Sequence, residues 1–262
     1  MKTLTLAIAN QKGGVGKTTT TVSLAAALAV NGFRVLLVDS DPQGNATGSL
    51  GINKRALNVS LYDVLVESRS PNEVIISTVR ERLDVLPASV ELAGAEVELS
   101  DVEDNERTFR LRTELEVIRK NYDFILIDCP PSLGQLTLNA LCAADGVLIP
   151  IQCEYLALEG LTQLKETIDL VVGSPLNPKL VIFGIVMTMY DGRTNLALQV
   201  VEEVKRYFPD QIFATVVPRS VRLSEAPSYG KSILEYDPSS RGALAYKALA
   251  KEVEARANHA SQ

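Results

Sequence analysis

The stretch TLTLAIANQKGGVGKTTTTVSLAAALAVNG, residues 3–32, leaves this chain few folds to choose from. An apolar, β-branched run at 3–9 enters a glycine-rich turn, and the turn opens directly into an amphipathic stretch at 18–32 that closes on Asn31–Gly32. Strand, tight turn and helix in that order form the first half of a βαβ unit, which brings right-handed crossovers and a sheet covered by helices. Further strand candidates lie at 34–39, 83–88, 123–128, 146–151, 180–188 and 212–218. Most are apolar on both faces, as a buried parallel sheet requires. Helical patterns fall near 60–67, 89–99, 105–121, 135–143, 157–172, 195–208 and 239–257. The expected fold is α/β, a doubly wound and mostly parallel sheet flanked by helices, with 1–262 as a single domain. Ligands of such sheets bind beyond the carboxyl ends of the strands.

The composition excludes several classes. A formal net charge of −6 argues against a chain that coats nucleic acid over its whole surface, although a local basic patch remains open. Cys129, Cys142 and Cys153 are an odd set at wide spacing, neither a disulfide framework nor a zinc site. The single histidine, His259, removes histidine chemistry. MKTLTLAIAN is too short and too soon polar for a signal peptide, and no apolar run approaches a membrane span.

NQKGGVGKTT has the context of a phosphate-binding loop, a strand before it and a helix after it. Gly13, Gly14, Val15 and Gly16 offer backbone N–H groups that crowd around phosphate oxygens where Cβ atoms would obstruct. The helix N-terminus adds partial positive charge. Lys17 reaches the β- and γ-phosphates, Thr18 offers a hydroxyl to Mg²⁺, and Thr19 contacts the α-phosphate. Two acidic motifs follow strands. In VLLVDSDPQGNATGSLG, Asp39 and Asp41 straddle Ser40; the pair either holds Mg²⁺ through water and orients an attacking water, or caps the turn. In FILIDCPPSLG an apolar strand ends in Asp128, an acid placed for the hydration shell of Mg²⁺, and Pro130–Pro131 stop the strand and stiffen the loop. No residue reads as a covalent nucleophile, and phosphoryl transfer to water needs none.

The loop departs from the usual GxxxxGK pattern, because Gln11 takes the first glycine position and Lys12 follows it. With KGGVGKT, the two acidic motifs, MTMYDGRTNLALQVVEEVKRYF and VVPRSVRLSEAPSYGKSILEYDPSSRGALAYKAL, nearly the whole chain resembles the deviant Walker A ATPases of the ParA/Soj partition group. That resemblance implies an ATPase that uses ATP/ADP and Mg²⁺ and closes as a homodimer around ATP. It implies that Lys12 crosses to the phosphates bound by the other subunit. Asp41 then positions the hydrolytic water, Asp39 supports the metal shell, and Gln43, Gly44 and Asn45 form a switch loop. Pro218 and Arg219, with Met189, enclose the adenine. Non-specific double-stranded DNA binds basic residues of the distal third, for which Arg193 and Arg222 lead and Lys205, Arg206 and Lys231 are further candidates. A DNA-bound partner of the ParB type stimulates hydrolysis. The implied setting is a bacterial or archaeal cytosol, on the nucleoid.

Alternatives remain open at this point. Lys12 can serve ATP in its own chain, and each basic residue can be an ordinary solvated charge. A positioning ATPase of the MinD type, acting on a membrane or other cargo, uses the same cycle. The tail YKALAKEVEARANHASQ sets mainly alanine opposite mixed charge, too weak for a membrane anchor. A metabolic P-loop enzyme is a third reading.

Overall fold

The computed structural model describes residues 2–99, 104–154 and 157–260. Among them, eight strands form one sheet: β1 (Leu4–Ile8), β2 (Val35–Asp39), β3 (Ile76–Ser77), β4 (Leu83–Leu86), β5 (Phe124–Asp128), β6 (Gly146–Gln152), β7 (Val181–Tyr190) and β8 (Ile212–Pro218). Their order is β3-β4-β2-β5-β1-β6-β7-β8, and all pairings are parallel except that of the short edge strand β3. The seven strands expected from sequence are the seven parallel ones; β3 was not expected, because two residues carry no periodicity.

The helices are α1 (Lys17–Val30), α2 (Asn45–Ser49), α3 (Leu61–Leu65), α4 (Pro71–Val74), α5 (Leu92–Glu98), α6 (Asp104–Ile118), α7 (Gln135–Ala143), α8 (Ala157–Val172), α9 (Asn195–Tyr207), α10 (Val221–Glu225), α11 (Ile233–Tyr236) and α12 (Arg241–Ala260). The eight longer patterns read from sequence appear; α2, α4, α10 and α11, each four or five residues long, were not anticipated.

Strand alternation divides the core in two. Ala7, Leu36, Val38, Ile125 and Ile127 point to one face, against residues of α3, α6, α7, α8 and α9. Leu6, Ile8, Val35, Leu37 and Leu126 point to the other, against α1 and α12. Both faces of the central strands are therefore dry, which explains their unbroken apolar runs. The order reverses around β1 and β5, so the loops after β1, β2 and β5 meet at one crevice.

Candidate nucleotide site

The loop between β1 and α1 is held from below. Asn10 donates from Nδ2 to the Pro150 carbonyl (2.8 Å) and accepts the Lys12 N–H at Oδ1 (3.0 Å). Thr188 of β7 donates its hydroxyl to the Val15 carbonyl at 2.7 Å. Gly14 and Gly16 have φ of 76° and 89°, where a Cβ is strained. Gly16 is the N-cap of α1 and no side chain caps that end, so its first-turn N–H groups are presented to whatever enters the loop. Lys17 is buried and folds back to donate to the Lys12 carbonyl at 3.2 Å. Burial lowers its pKa, opposed by the nearby Asp128 carboxylate.

The parallel register sets Asp39 beside Asp128 at the carboxyl edge of β2 and β5. Both are fully buried. Asp128 accepts the Thr18 hydroxyl (2.8 Å) and the Thr21 hydroxyl (2.9 Å). Asp39 accepts the Thr47 N–H (2.7 Å), the Thr47 hydroxyl (2.6 Å) and the Asp41 N–H (3.3 Å). Every one of these partners is neutral. Burial raises the pKa of both carboxyls, and neighbouring carboxylates add to it, Asp39 and Asp41 at Asp128 and Asp41 at Asp39. The Ser40 hydroxyl, buried between the two acidic positions, has no hydrogen-bond partner. A divalent cation fits here, because two buried carboxyls stand side by side with only neutral hydrogen-bond partners and Lys17 as the nearby cation. Among the described residues no three or more His, Cys, Asp or Glu form a metal cluster; Asp128 and the Thr18 hydroxyl are the groups that would hold such an ion, with water and phosphate completing its shell. Asp41 is 8% exposed and accepts the Gln43 N–H at 2.9 Å, the turn that leads through Gly44 into α2.

Asp39, expected beside the metal shell, lies next to Asp128 and also has a structural part in this chain. Both its oxygens hold the segment Asp41–Thr47, so it anchors the start of α2. Lys12 flanks the loop and donates to Glu154 of its own chain at 2.9 Å, a carboxylate that Gln152 also contacts.

Beside Gly16 and Thr19 lies a cavity of about 230 Å³, lined among others by Met189, Pro218 and Arg219. Register pairs Tyr190 with Pro218, and the Arg219 N–H donates to the Tyr190 carbonyl at 3.2 Å, which draws the three expected residues together. Met189 has φ of 50°, left-handed for a residue with a side chain. Tyr246 of α12 also lines the cavity, with its hydroxyl 3.0 Å from that of Thr20.

Comparison with known proteins accords with this geometry. A family model described as an AAA domain matches residues 3–182. Over 250 residues the chain is 59% identical to the sporulation initiation inhibitor protein Soj of Bacillus subtilis, covering 95% of this chain and 98% of that one. It is 55% identical over 248 residues to the chromosome partitioning protein ParA of Myxococcus xanthus, covering 95% and 87%. This chain belongs to the ParA/Soj family of partition ATPases. Among solved structures, cobyrinic acid a,c-diamide synthase from Mycobacterium smegmatis, with bound ADP and magnesium, superposes with a TM-score of 0.83 at 40% identity, covering 95% of this chain and 93% of that one.

The basic residues of this ParA/Soj chain do not form one group. Arg193 follows β7, Arg222 lies on α10 and Lys231 precedes α11, all at the edge that carries the phosphate loop. Lys205 and Arg206 sit near the far end of α9, and ten residues at 1.5 Å each carry them about 15 Å toward the opposite edge. Arg193 forms two hydrogen bonds with Asp191 (2.8 and 2.6 Å) and holds that carboxyl down to about 2. Arg222 lies 3.0 Å from Glu225 and 3.6 Å from Asp237, and Arg206 lies 3.6 Å from Glu203. Sequence reasoning passed over Asn10, Thr21, Thr47, Glu154 and Tyr246. Only Thr21 had a local signal, since it lies one helical turn beyond Lys17.

Proposed function

We propose that the site binds ATP with Mg²⁺ and that ATP closes two copies of the chain into a homodimer competent for non-specific double-stranded DNA. A DNA-bound activator of the ParB type then stimulates hydrolysis and release. The observation that carries this reading is the buried Asp39–Asp128 pair, matched only by neutral partners, next to an uncapped helix start and a buried lysine. It is an anion cradle and a cation seat side by side.

Placement supports the following roles. The N–H groups of 13–19 bind the phosphate chain, and Lys17, partly desolvated, exchanges its carbonyl partner for a phosphate oxygen. Asp128 and the Thr18 hydroxyl hold the metal's water shell; the ion supplies charge neutralisation at the β- and γ-phosphates. Asp41, fixed by the Gln43 N–H but not sealed from solvent, orients the attacking water. Met189, Pro218 and Arg219 surround the base. Lys12 lies on the flank that a second copy would face, and crossing requires that it leave Glu154. Arg193, Arg222 and Lys231 are the DNA candidates that share the nucleotide edge.

A membrane-acting reading finds less support. No helix among the described residues is long and apolar enough to cross a membrane. The apolar face of α12 is already buried, with Ala243, Tyr246, Leu249, Ala250 and Val253 packed against the α1 side of the sheet. The cytosol, on the nucleoid, is the setting that accords with this.

The test is Asp41→Ala, sized by light scattering with ATP or ADP, with and without duplex DNA. The expected result is an ATP-dependent dimer that binds DNA, dissociates in high salt and does not turn over. Wild-type hydrolysis by this variant refutes the role of Asp41. A monomer with ATP refutes the dimer cycle.

A further inference from the structure

Arg80 lies in the turn between β3 and β4, far in sequence from every motif above, yet its side chain is only 9% exposed. Its guanidinium spans two segments that the proposed cycle must coordinate. Nη1 donates to the carbonyl of Leu50 (3.3 Å), the residue that ends α2. Nη2 donates to the carbonyl of Gly230 (3.1 Å), and Nε pairs with Glu235. Glu235 is itself tied down, since it accepts the N–H (3.0 Å) and hydroxyl (2.8 Å) of Ser232 at the start of α11. The turn that presents Arg80 is rigid: Thr78 Oγ1 accepts the Arg80 N–H (3.1 Å) and donates to the Leu83 carbonyl (2.7 Å).

The same two segments touch through bare backbone. Gly51 and Gly230 both have positive φ, 82° and 61°. A Cβ on Gly230 would lie 2.7 Å from the Gly51 Cα, and a Cβ on Gly51 would lie 3.1 Å from the Gly230 carbonyl oxygen. Nearer its start α2 hangs from Asp39 through Thr47, six residues beyond Asp41. Between α2, the start of α1 and the segment 226–233 runs an open cleft of about 490 Å³; below it Ala46, Leu50, Ala226 and Ile233 share one buried apolar cluster, and the arginine and the glycine contact add the directional polar and backbone joint that apolar packing lacks.

We propose that Arg80 is a positioning residue, the joint through which α2, set by the nucleotide site, moves the segment 222–235, which carries Arg222 and Lys231, as one body. The fork geometry is what the task needs. A guanidinium reaches two carbonyls and a carboxylate at once, and an ammonium on a single stem does not. The proposal deepens the reading above and rests on its nucleotide site, but its first readout does not involve DNA. Coupling of this kind is worth ~5–150-fold in affinity and is reciprocal between the two ligands.

The experiment measures amide hydrogen exchange of 222–235 in the full chain, with and without a non-hydrolysable ATP analogue and Mg²⁺. The variants are Arg80→Ala, Arg80→Lys and Gly51→Ala, each checked by thermal melt. Gly51→Ala strains the same joint from the α2 side, at the Gly230 carbonyl that Arg80 also binds, while keeping the arginine itself, and it decides the matter if Arg80→Ala does not fold. In wild type the analogue slows exchange of 222–235. In Arg80→Ala and Gly51→Ala that response is lost while analogue affinity stays within about twofold, and Arg80→Lys restores only part of it. The ATP-to-ADP ratio of duplex DNA affinity falls in parallel toward one. A full exchange response in the variants overturns the proposal, as does the lack of any response in wild type. An exchange response present in wild type and lost in the variants, with no DNA binding by any of the proteins, refutes the DNA reading and leaves the joint standing.

Discussion

Replacing Glu154 by glutamine should strengthen, not weaken, ATP-dependent pairing of two chains. In the single chain Lys12 is held by Glu154 at 2.9 Å, with side chains 35% and 44% exposed. If Lys12 must reach the neighbouring subunit's phosphates, that contact breaks once in each protomer. An ion pair this exposed contributes roughly 0.2–1 kcal/mol after solvent screening. A symmetric dimer breaks two, so about 0.4–2 kcal/mol opposes closure, equivalent to about 2–30-fold in the dimerisation constant. Glutamine keeps the shape and a weaker hydrogen bond but releases the charge. Sedimentation of wild type and Glu154→Gln in the Asp41→Ala background, across protein concentration with saturating ATP, measures the difference directly. The gain should shrink as salt rises from about 0.05 to 0.5 M, because the opposing pair is itself screened. Weaker dimerisation of Glu154→Gln at every salt would refute the reasoning, since Glu154 would then be contributing to the closed state instead of competing with it. A stable ATP dimer of Lys12→Ala would refute it more deeply.

Two further outcomes are expected. Asp39 and Asp128 have raised pKa values in the folded, nucleotide-free chain. Such acids bind more protons folded than unfolded, so nucleotide-free stability falls as pH rises from the ordinary carboxylate range toward neutrality; denaturant melts of Asp128→Asn should show a flatter profile and no Mg²⁺-dependent stabilisation by ATP. Arg193→Glu should dimerise normally yet lose DNA affinity at least about tenfold in a mobility shift at moderate salt, whereas Lys205→Glu with Arg206→Glu, at the opposite edge, should change it less than about threefold; equal losses would move the DNA face to the far side of α9.

Legibility in the sequence divides by distance along the chain. The phosphate loop was legible because everything it needs is contiguous: a strand, glycines at positive-φ positions, a lysine and threonines that begin the helix. Asp128 was legible because a parallel strand must end where the loop sits, and the register with β1 and β2 delivers it there. Asp39 has the same local signature, yet its oxygens hold Thr47, and no pattern announces that contact. The helix that carries Thr47, the five residues NATGS, has neither length nor propensity to form alone. Asp39 holds it through Thr47, Arg80 binds the carbonyl of Leu50, and Ala46 and Leu50 are buried in the core. An arginine in a turn reads as solvated charge until tertiary structure sets Leu50 and Gly230 within its reach. Arg193 on one side and Lys205 and Arg206 on the other differ in a further way. They neighbour one another in sequence, but a helix returning from the end of one parallel strand to the start of the next must carry its last turn to the opposite edge of the sheet. Helix length multiplied by rise was available from the sequence, and it alone separates the two sets.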